Sequence, residues 1–355
     1  MVLISDAINM SYHKDMAQPY KKENNIHSQL RLDIVSEDWV VIAVNRAQRP
    51  EMFAQKERIK EGSRDPGKDC PFCGEEIFKR AVFKRGNVFS IPNDFPIFSE
   101  GDDLNIHSDG PYETMDGVGF HEVIITKDHN RPMALFTSEE VKEAVDVYQS
   151  RYIELAKNKF VTYISIFHNH GKEAGASVYH PHSQMVAIPV IDPDLKNSIE
   201  GAEKYYKKTG LCVYCTMIGW DKKDEERIIY ENKKFIVLSP FAPQSNFEVR
   251  IYPKEHSPCF EKMDETEKQY FADALKTVLY KIYKGLNDPA YNFYIHTAPA
   301  GQSPLGGAED YKNYHWHLVI MPKPPTPPAG FEFCAGMEIN TIEPEKAAEF
   351  LRNVK

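Results

Sequence analysis

The sequence contains no apolar run near the roughly 18 residues that a bilayer-spanning helix requires, so no membrane partner is expected. It is also short of positive charge: 43 Lys and Arg stand against 52 Asp and Glu, a formal net charge of −9. An acidic chain repels a phosphate backbone, which counts against a nucleic-acid-binding protein. Any phosphorylated substrate must therefore be held by local donors. Cysteine is scarce, six in 355 residues, which excludes a short disulfide-stapled scaffold. The polar N-terminal stretch carries Lys14, Lys21, Lys22 and Glu23 without an apolar h-region. It reads as a loosely ordered arm over residues 1–30 of a cytoplasmic chain. Against these absences stand 42% hydrophobic and 12% aromatic residues. That is enough for a buried core, and the length suggests two domains.

Four of the six cysteines fall in two Cys-x-x-Cys pairs, Cys70/Cys73 and Cys212/Cys215. In a reducing compartment, thiols at this spacing are expected as zinc ligands rather than as a disulfide framework. A thioredoxin-like redox role is disfavoured, because such motifs open a helix after a strand and Cys73 is followed by a Gly-Glu-Glu turn. Cys259 and Cys334 stand alone and are expected to be small buried hydrophobes.

Laid over each other, the two halves of the chain repeat. Each begins with its cysteine pair and continues through an apolar strand ending in a Pro-containing turn (residues 87–96 and 235–243). A strand closing on Lys-Asp-His129 or Lys-Glu-His256 follows. Then comes an amphipathic helix, expected over 138–157 and 264–284 with N-caps at Ser138 and Asp264. A further strand (161–168, 291–296) and a small-residue loop lead to His180-Pro-His182 in one half and His315-Trp-His317 in the other. Alternate residues of a strand share a face, so each His pair points together. The pattern predicts an α+β protein with mainly antiparallel sheet and flanking helices, two copies of one supersecondary unit. Domains are expected at 31–195 and 196–355, joined by a polar stretch, 192–210, that is helical around 198–207. The duplication nominates Cys70, Cys73, His129 and His180 for one closed zinc site. It nominates Cys212, Cys215, His256 and His315 for a second, with His296 as the alternative to His315.

If a metal takes His180, His182 lies on the same strand face with its backbone pinned two residues away. A neutral imidazole so placed can attack the α-phosphorus of a nucleoside diphosphate derivative and hold the nucleotidyl group as a phosphoramidate until an acceptor arrives. Gln184, two residues further along that face, can donate its amide to a phosphoryl oxygen. Ser177 and the loop at 171–175 can add hydroxyl and backbone donors.

The run Gly175-Ala-Ser177-x-x-His180-Pro-His182-x-Gln184 resembles the active-site motif of the galactose-1-phosphate uridylyltransferases, members of the histidine-triad superfamily. The resemblance extends from about Arg31 to the C-terminus, through Arg46-Ala-Gln-Arg49-Pro, the first cysteine pair, Asn93-Asp94-Phe, Asp128-His129 and Asn169. It implies a duplicated histidine-triad-like half-barrel, and ping-pong nucleotidyl transfer through His182 from an NDP-sugar to a sugar phosphate or phosphate. It also implies that Arg46 and Arg49 face phosphates, Asn93 and Asp94 the ribose, and Asn169, Ser177 and Gln184 the reacting phosphoryl group. In the run Phe333-Cys-Ala-Gly336-Met-Glu338 it implies a sugar-binding strand whose Glu338 contacts hexose hydroxyls, and it implies a homodimer. Departures are Val178-Tyr179 before the motif, Ser183 after His182, and Ser198 where a metal-binding Glu is usual. The second cysteine pair is similar instead to a two-zinc branch that includes plant ADP-glucose phosphorylase. Uridylyl transfer from UDP-glucose to galactose 1-phosphate is the first expectation, and adenylyl transfer involving inorganic phosphate the second. A zinc-stabilised, non-enzymatic nucleotide- or RNA-binding protein is the third.

Overall fold

Strand-forming runs rich in Val, Ile, Phe and Tyr recur along the chain, and most of them join one sheet. The structure, a computed structural model, describes residues 28–44, 70–101, 103–300, 311–323 and 330–355. Arg46 and Arg49 lie outside the described residues. The strands are β1 (Gln29–Leu32), β2 (Trp39–Ile42), β3 (Phe83–Arg85), β4 (Val88–Pro92), β5 (His107–Asp109), β6 (Tyr112–Thr114), β7 (Phe120–Thr126), β8 (Tyr163–His170) and β9 (His182–Ile188). The second half adds β10 (Ile228–Glu231), β11 (Phe235–Leu238), β12 (Val249–Pro253), β13 (Tyr291–His296), β14 (His317–Pro322) and β15 (Ile339–Asn340).

Ten strands form a single antiparallel sheet in the order β10-β11-β12-β14-β13-β8-β9-β7-β4-β3. Read outward from the central β8/β13 pair, the order is β8-β9-β7-β4-β3 in one direction and β13-β14-β12-β11-β10 in the other. The sequence repeat is thus a repeat of topology, and the halves are joined edge to edge. Neither unit leaves its β8 or β13 edge open for aggregation.

Two long helices, α2 (Ser138–Leu155) and α5 (Glu265–Gly285), pack on this sheet and on each other; the short helix α1 (Glu75–Lys79) precedes α2, and α3 (Pro193–Thr209) and α4 (Val213–Asp224) lie between α2 and α5 in the chain. Val145 and Tyr148 of α2, Phe271 and Leu275 of α5, and Trp316 are essentially fully buried in the shared core. The N-cap of α2 is Thr137, not Ser138. A capping box needs its Glu three residues after the cap, and Glu140 satisfies Thr137: Thr137 Oγ1 accepts the Glu140 N–H at 3.2 Å, and the Glu140 carboxylate accepts the Thr137 N–H at 2.8 Å. Asp264 and Glu267 make the same box on α5. Thr137→Ala is expected to lower stability by about 1 kcal/mol, read as a shift in the urea midpoint at unchanged slope.

Helix α3 begins at an Asp192 cap and runs through the 195/196 junction expected between domains. Gln29 and Leu30, assigned to the arm, belong to β1, which forms a small sheet with β2 and β15. There Arg31 is held by Glu345 at 2.8 Å and stacks on Phe241 at 4.7 Å. Of the run expected as a sugar-binding strand, 333–338, the first three residues end a helix, α6 (Gly330–Ala335); a left-handed Gly336 follows, and Glu338 directly precedes β15, with α7 (Pro344–Asn353) beyond. Cys334 on α6 is exposed, not buried, whereas Cys259 is buried as expected. Among the described residues no helix is long and apolar enough to cross a membrane.

Candidate active site and metal clusters

The backbone brings each predicted set of four ligands together. Cys70 and Cys73 lie in the turn before α1, His129 follows β7, and His180 precedes β9; their ligating atoms lie within 4.8 Å of one another. Cys73 Sγ is 3.2 Å from His129 Nδ1 and 3.5 Å from His180 Nδ1, and Cys70 Sγ is 3.7 Å from His180 Nδ1. A tetrahedron with bonds of about 2.3 Å to sulfur and 2.0–2.1 Å to nitrogen has S···N edges of about 3.6 Å. The donor set therefore fits one closed four-coordinate ion. His180 Nε2 donates to the Thr126 carbonyl at 2.8 Å, which leaves Nδ1 as the ligand atom. Burial pulls His180 down to about 4, so it is neutral, as a ligand must be.

Cys212, Cys215, His256 and His315 form the second cluster. Cys215 Sγ lies 3.5 Å from His256 Nδ1 and 3.6 Å from His315 Nδ1. The Nε2 atoms donate to the carbonyls of Lys312 at 2.6 Å and Pro253 at 2.9 Å. The Cys212 thiol is held well below the usual thiol range, first by the hydrogen bond from Cys215 and further by the two imidazoles. His315 is thus the fourth member, and His296 packs instead against His317 with ring centroids 5.3 Å apart. Cys212 caps α4, and a short helix follows Cys73, so both pairs open helices. What separates them from a redox motif is the pair of histidines closing on each.

His182 begins β9, is 6% exposed, and packs beside Phe72 with centroids 5.1 Å apart. Its Nδ1 donates to the His180 carbonyl at 2.9 Å. A carbonyl only accepts, so the proton is on Nδ1 and the Nε2 lone pair is free. Burial holds the imidazole below the ordinary histidine value, opposed by that hydrogen bond, which keeps it neutral at neutral pH.

Val123 pairs with Gln184 across β7 and β9, which sets His121 diagonal to Gln184 on the His182 face. His121 Nε2 lies 2.8 Å from Gln184 Oε1. Burial lowers the His121 pKa against this hydrogen bond. Asn169, at the outer end of β8, meets Asn292 of β13 at 2.7 Å. Sequence reading had missed both partners. Extending β7 two residues toward its start would have put His121 on the inner face. Asn292 shows itself only once the halves are paired. Ser177 is exposed in the bend before His180. Asn93 Oδ1 accepts the Phe95 N–H at 2.8 Å, and the exposed Asp94 carboxylate is paired with Arg80 at 2.5 Å.

A sequence profile described as the galactose-1-phosphate uridyl transferase N-terminal domain matches residues 18–191, and one described as a domain of unknown function, DUF4921, matches 117–353. The chain is 33% identical over 344 residues to an ADP-glucose phosphorylase of Arabidopsis thaliana, covering 93% of this chain and 94% of that protein. The chain belongs to the galactose-1-phosphate uridylyltransferase family. It is 28% identical over 335 residues to the uridylyltransferase of Thermotoga maritima, covering 92% and 98% of the two chains. A crystal structure of an Arabidopsis thaliana ADP-glucose phosphorylase with bound ADP-glucose superposes with a TM-score of 0.77 at 30% identity, over 93% of this chain and 100% of that one. These relatives are enzymes, so the chain is an enzyme of the nucleotidyltransferase and phosphorylase group. The non-enzymatic reading falls.

In this uridylyltransferase-family chain Glu338 directly precedes β15, and its carbonyl accepts the Val41 N–H of β2 at 2.9 Å. Burial raises its carboxyl pKa, helped by Glu332 and Glu248 nearby. Glu248 is the repeat counterpart of His121, so Glu338 lies by the second half. Among the described contacts, none links it to His182.

Proposed function

We propose that the chain transfers an adenylyl group from an ADP-hexose to inorganic phosphate through a covalent intermediate on His182. The observation that carries this reading is the hydrogen bond from His182 Nδ1 to the His180 carbonyl, which fixes the tautomer and aims the reactive nitrogen. His182 Nε2 attacks the α-phosphorus, the bond from that phosphorus to the bridging oxygen breaks, and hexose 1-phosphate leaves. Positive charge on the adenylylated imidazole is eased by the His180 carbonyl. A phosphate oxygen then attacks the same phosphorus, the P–N bond breaks, ADP leaves, and Nε2 regains its lone pair.

In this reading Gln184, Asn169 and Ser177 donate to the phosphoryl oxygens. Asn93 and Asp94 hold the ribose, and Arg46 and Arg49 face the phosphates. The base lies against Phe72. Zinc is the metal proposed for both clusters, since closed thiolate-imidazole sets suit it. When bound it fixes its ligands and adds folding free energy, and the chemistry stays with the imidazole. A homodimer is part of the proposal, to be checked by light scattering.

Uridylyl transfer from UDP-glucose to galactose 1-phosphate becomes the second reading. One observation sets this order: the higher identity to the ADP-glucose phosphorylase, 33% against 28%. Initial rates with ADP-glucose plus phosphate, against UDP-glucose plus galactose 1-phosphate, test it. We expect kcat/KM at least roughly tenfold higher for the adenylyl pair, about 1.4 kcal/mol in transition-state binding. A faster uridylyl pair would reverse the assignment.

A further inference from the structure

A carboxamide has two faces of opposite polarity. Turned by 180°, the side chain of Gln or Asn presents a carbonyl oxygen, which repels a phosphoryl oxygen, in place of an NH2 group that binds it. Beside His182 the ambiguity is removed twice, each time by a main-chain group that has only one polarity.

The Ile97 N–H, which can only donate, lies 3.2 Å from His121 Nδ1. Nδ1 therefore accepts, Nε2 carries the proton, and that proton goes to Gln184 Oε1 at 2.8 Å. Asn93 Nδ2 lies beside the ring edge, 3.3 Å from Nδ1 and 3.1 Å from Nε2; the single lone pair of Nδ1 is taken by the Ile97 N–H, and the Nε2 proton by the shorter contact to Gln184. On the other side the Ala174 carbonyl, which can only accept, lies 2.8 Å from Asn292 Nδ2. The Asn292 amide is thereby fixed, and its second N–H goes to Asn169 Oδ1 at 2.7 Å. Asn292 and Asn169 are direct partners across β13 and β8, and one further step of the β8/β9 register sets Asn169 opposite His182. Both carboxamide oxygens are occupied from behind, on the face that carries the nucleophile.

We infer that His121 and Asn292 are positioning residues that lock Gln184 and Asn169 with their NH2 groups presented to the phosphoryl oxygens. The inference rests on the nucleotidyl-transfer reading and deepens it. It also gives the joined sheet a purpose, because Asn292 belongs to the second half and serves a site built by the first.

The test follows formation of the nucleotidylated protein in single turnovers with ADP-glucose and with UDP-glucose. His121→Phe fills the space but cannot donate. Asn292→Asp keeps the shape but sets a carboxylate against the Ala174 carbonyl. Each is expected to slow adduct formation roughly 10- to 100-fold, the scale on which losing a partner that orients a functional side chain acts, while ADP binding changes less than about threefold. His121→Gln, which keeps one donor and one acceptor, is expected to recover most of the rate. In a Gln184→Ala background His121→Phe should cost nothing more. Wild-type rates in both single variants, or full additivity of His121→Phe with Gln184→Ala, would overturn the locks alone. A wild-type protein that labels with neither sugar nucleotide would overturn the nucleotidyl reading and the locks with it.

Discussion

Replacing His182 by alanine is expected to lower turnover by roughly 10⁴-fold or more, the scale on which loss of a covalent nucleophile acts, and to abolish the labelled intermediate. Nucleotide affinity should change only a few-fold, because the contacts proposed for the base, ribose and phosphoryl group at Phe72, Asn93 and Gln184 are untouched. The repeat supplies an internal control. His317 occupies the equivalent position and donates from Nδ1 to the His315 carbonyl at 3.1 Å. It is 3% exposed, enclosed by Tyr214, Tyr252 and Tyr314, and Val319 stands where Gln184 stands in the first half. The second half keeps a preorganised imidazole but has closed the space before it. His317→Ala should therefore cost about 2–4 kcal/mol of stability as a core truncation, read by denaturant titration, and leave the labelled intermediate on His182. Kinetics and titration of the two variants together separate the roles.

Removing the proposed zinc is expected to have the second large effect. Binding of structural zinc is worth about 10–16 kcal/mol in isolated finger peptides, as much as the entire stability of a typical domain, about 5–15 kcal/mol. Each cluster ties a cysteine turn to two strand ends, so losing its ion frees segments far apart in sequence. A strong chelator is expected to unfold the protein cooperatively below its normal melting temperature, followed by far-UV circular dichroism, with about two zinc ions released per chain. Cys73→Ser and Cys212→Ser should each release one. A metal-free protein that keeps its melting temperature and loses only activity would contradict the structural role.

The sequence was legible where chemistry recurs at fixed spacing. The duplicated cysteine pairs and His-x-His strands located both clusters, because strand alternation fixes which side chains share a face. The same repeat implied two copies of one unit, and the matching strand orders of the sheet's halves are those copies. It was silent where a contact depends on register between distant strands. His121 meets Gln184 diagonally, and Asn292 meets Asn169 only because β8 and β13 join the halves. Thr137 was passed over as a cap because the acidic first turn draws attention to Ser138, although the three-residue offset to Glu140 selects Thr137. The run 333–338 resembles a strand of the family, but its first three residues end a helix that begins at Gly330. Its Phe, Glu and Ala residues form a helical turn, and Gly336, at positive φ, ends it.

The proposed mechanism requires a phosphorus–nitrogen bond at one residue, His182. Weighing the intact protein after brief incubation with ADP-glucose, then mapping the modified peptide under mildly alkaline conditions, tests it in one experiment. The predicted result is a gain of one adenylyl group, acid-labile and carried by His182, which added phosphate discharges as ADP. A protein that gains no mass from ADP-glucose or UDP-glucose while turning either over, or that carries the label on another residue, would contradict the mechanism.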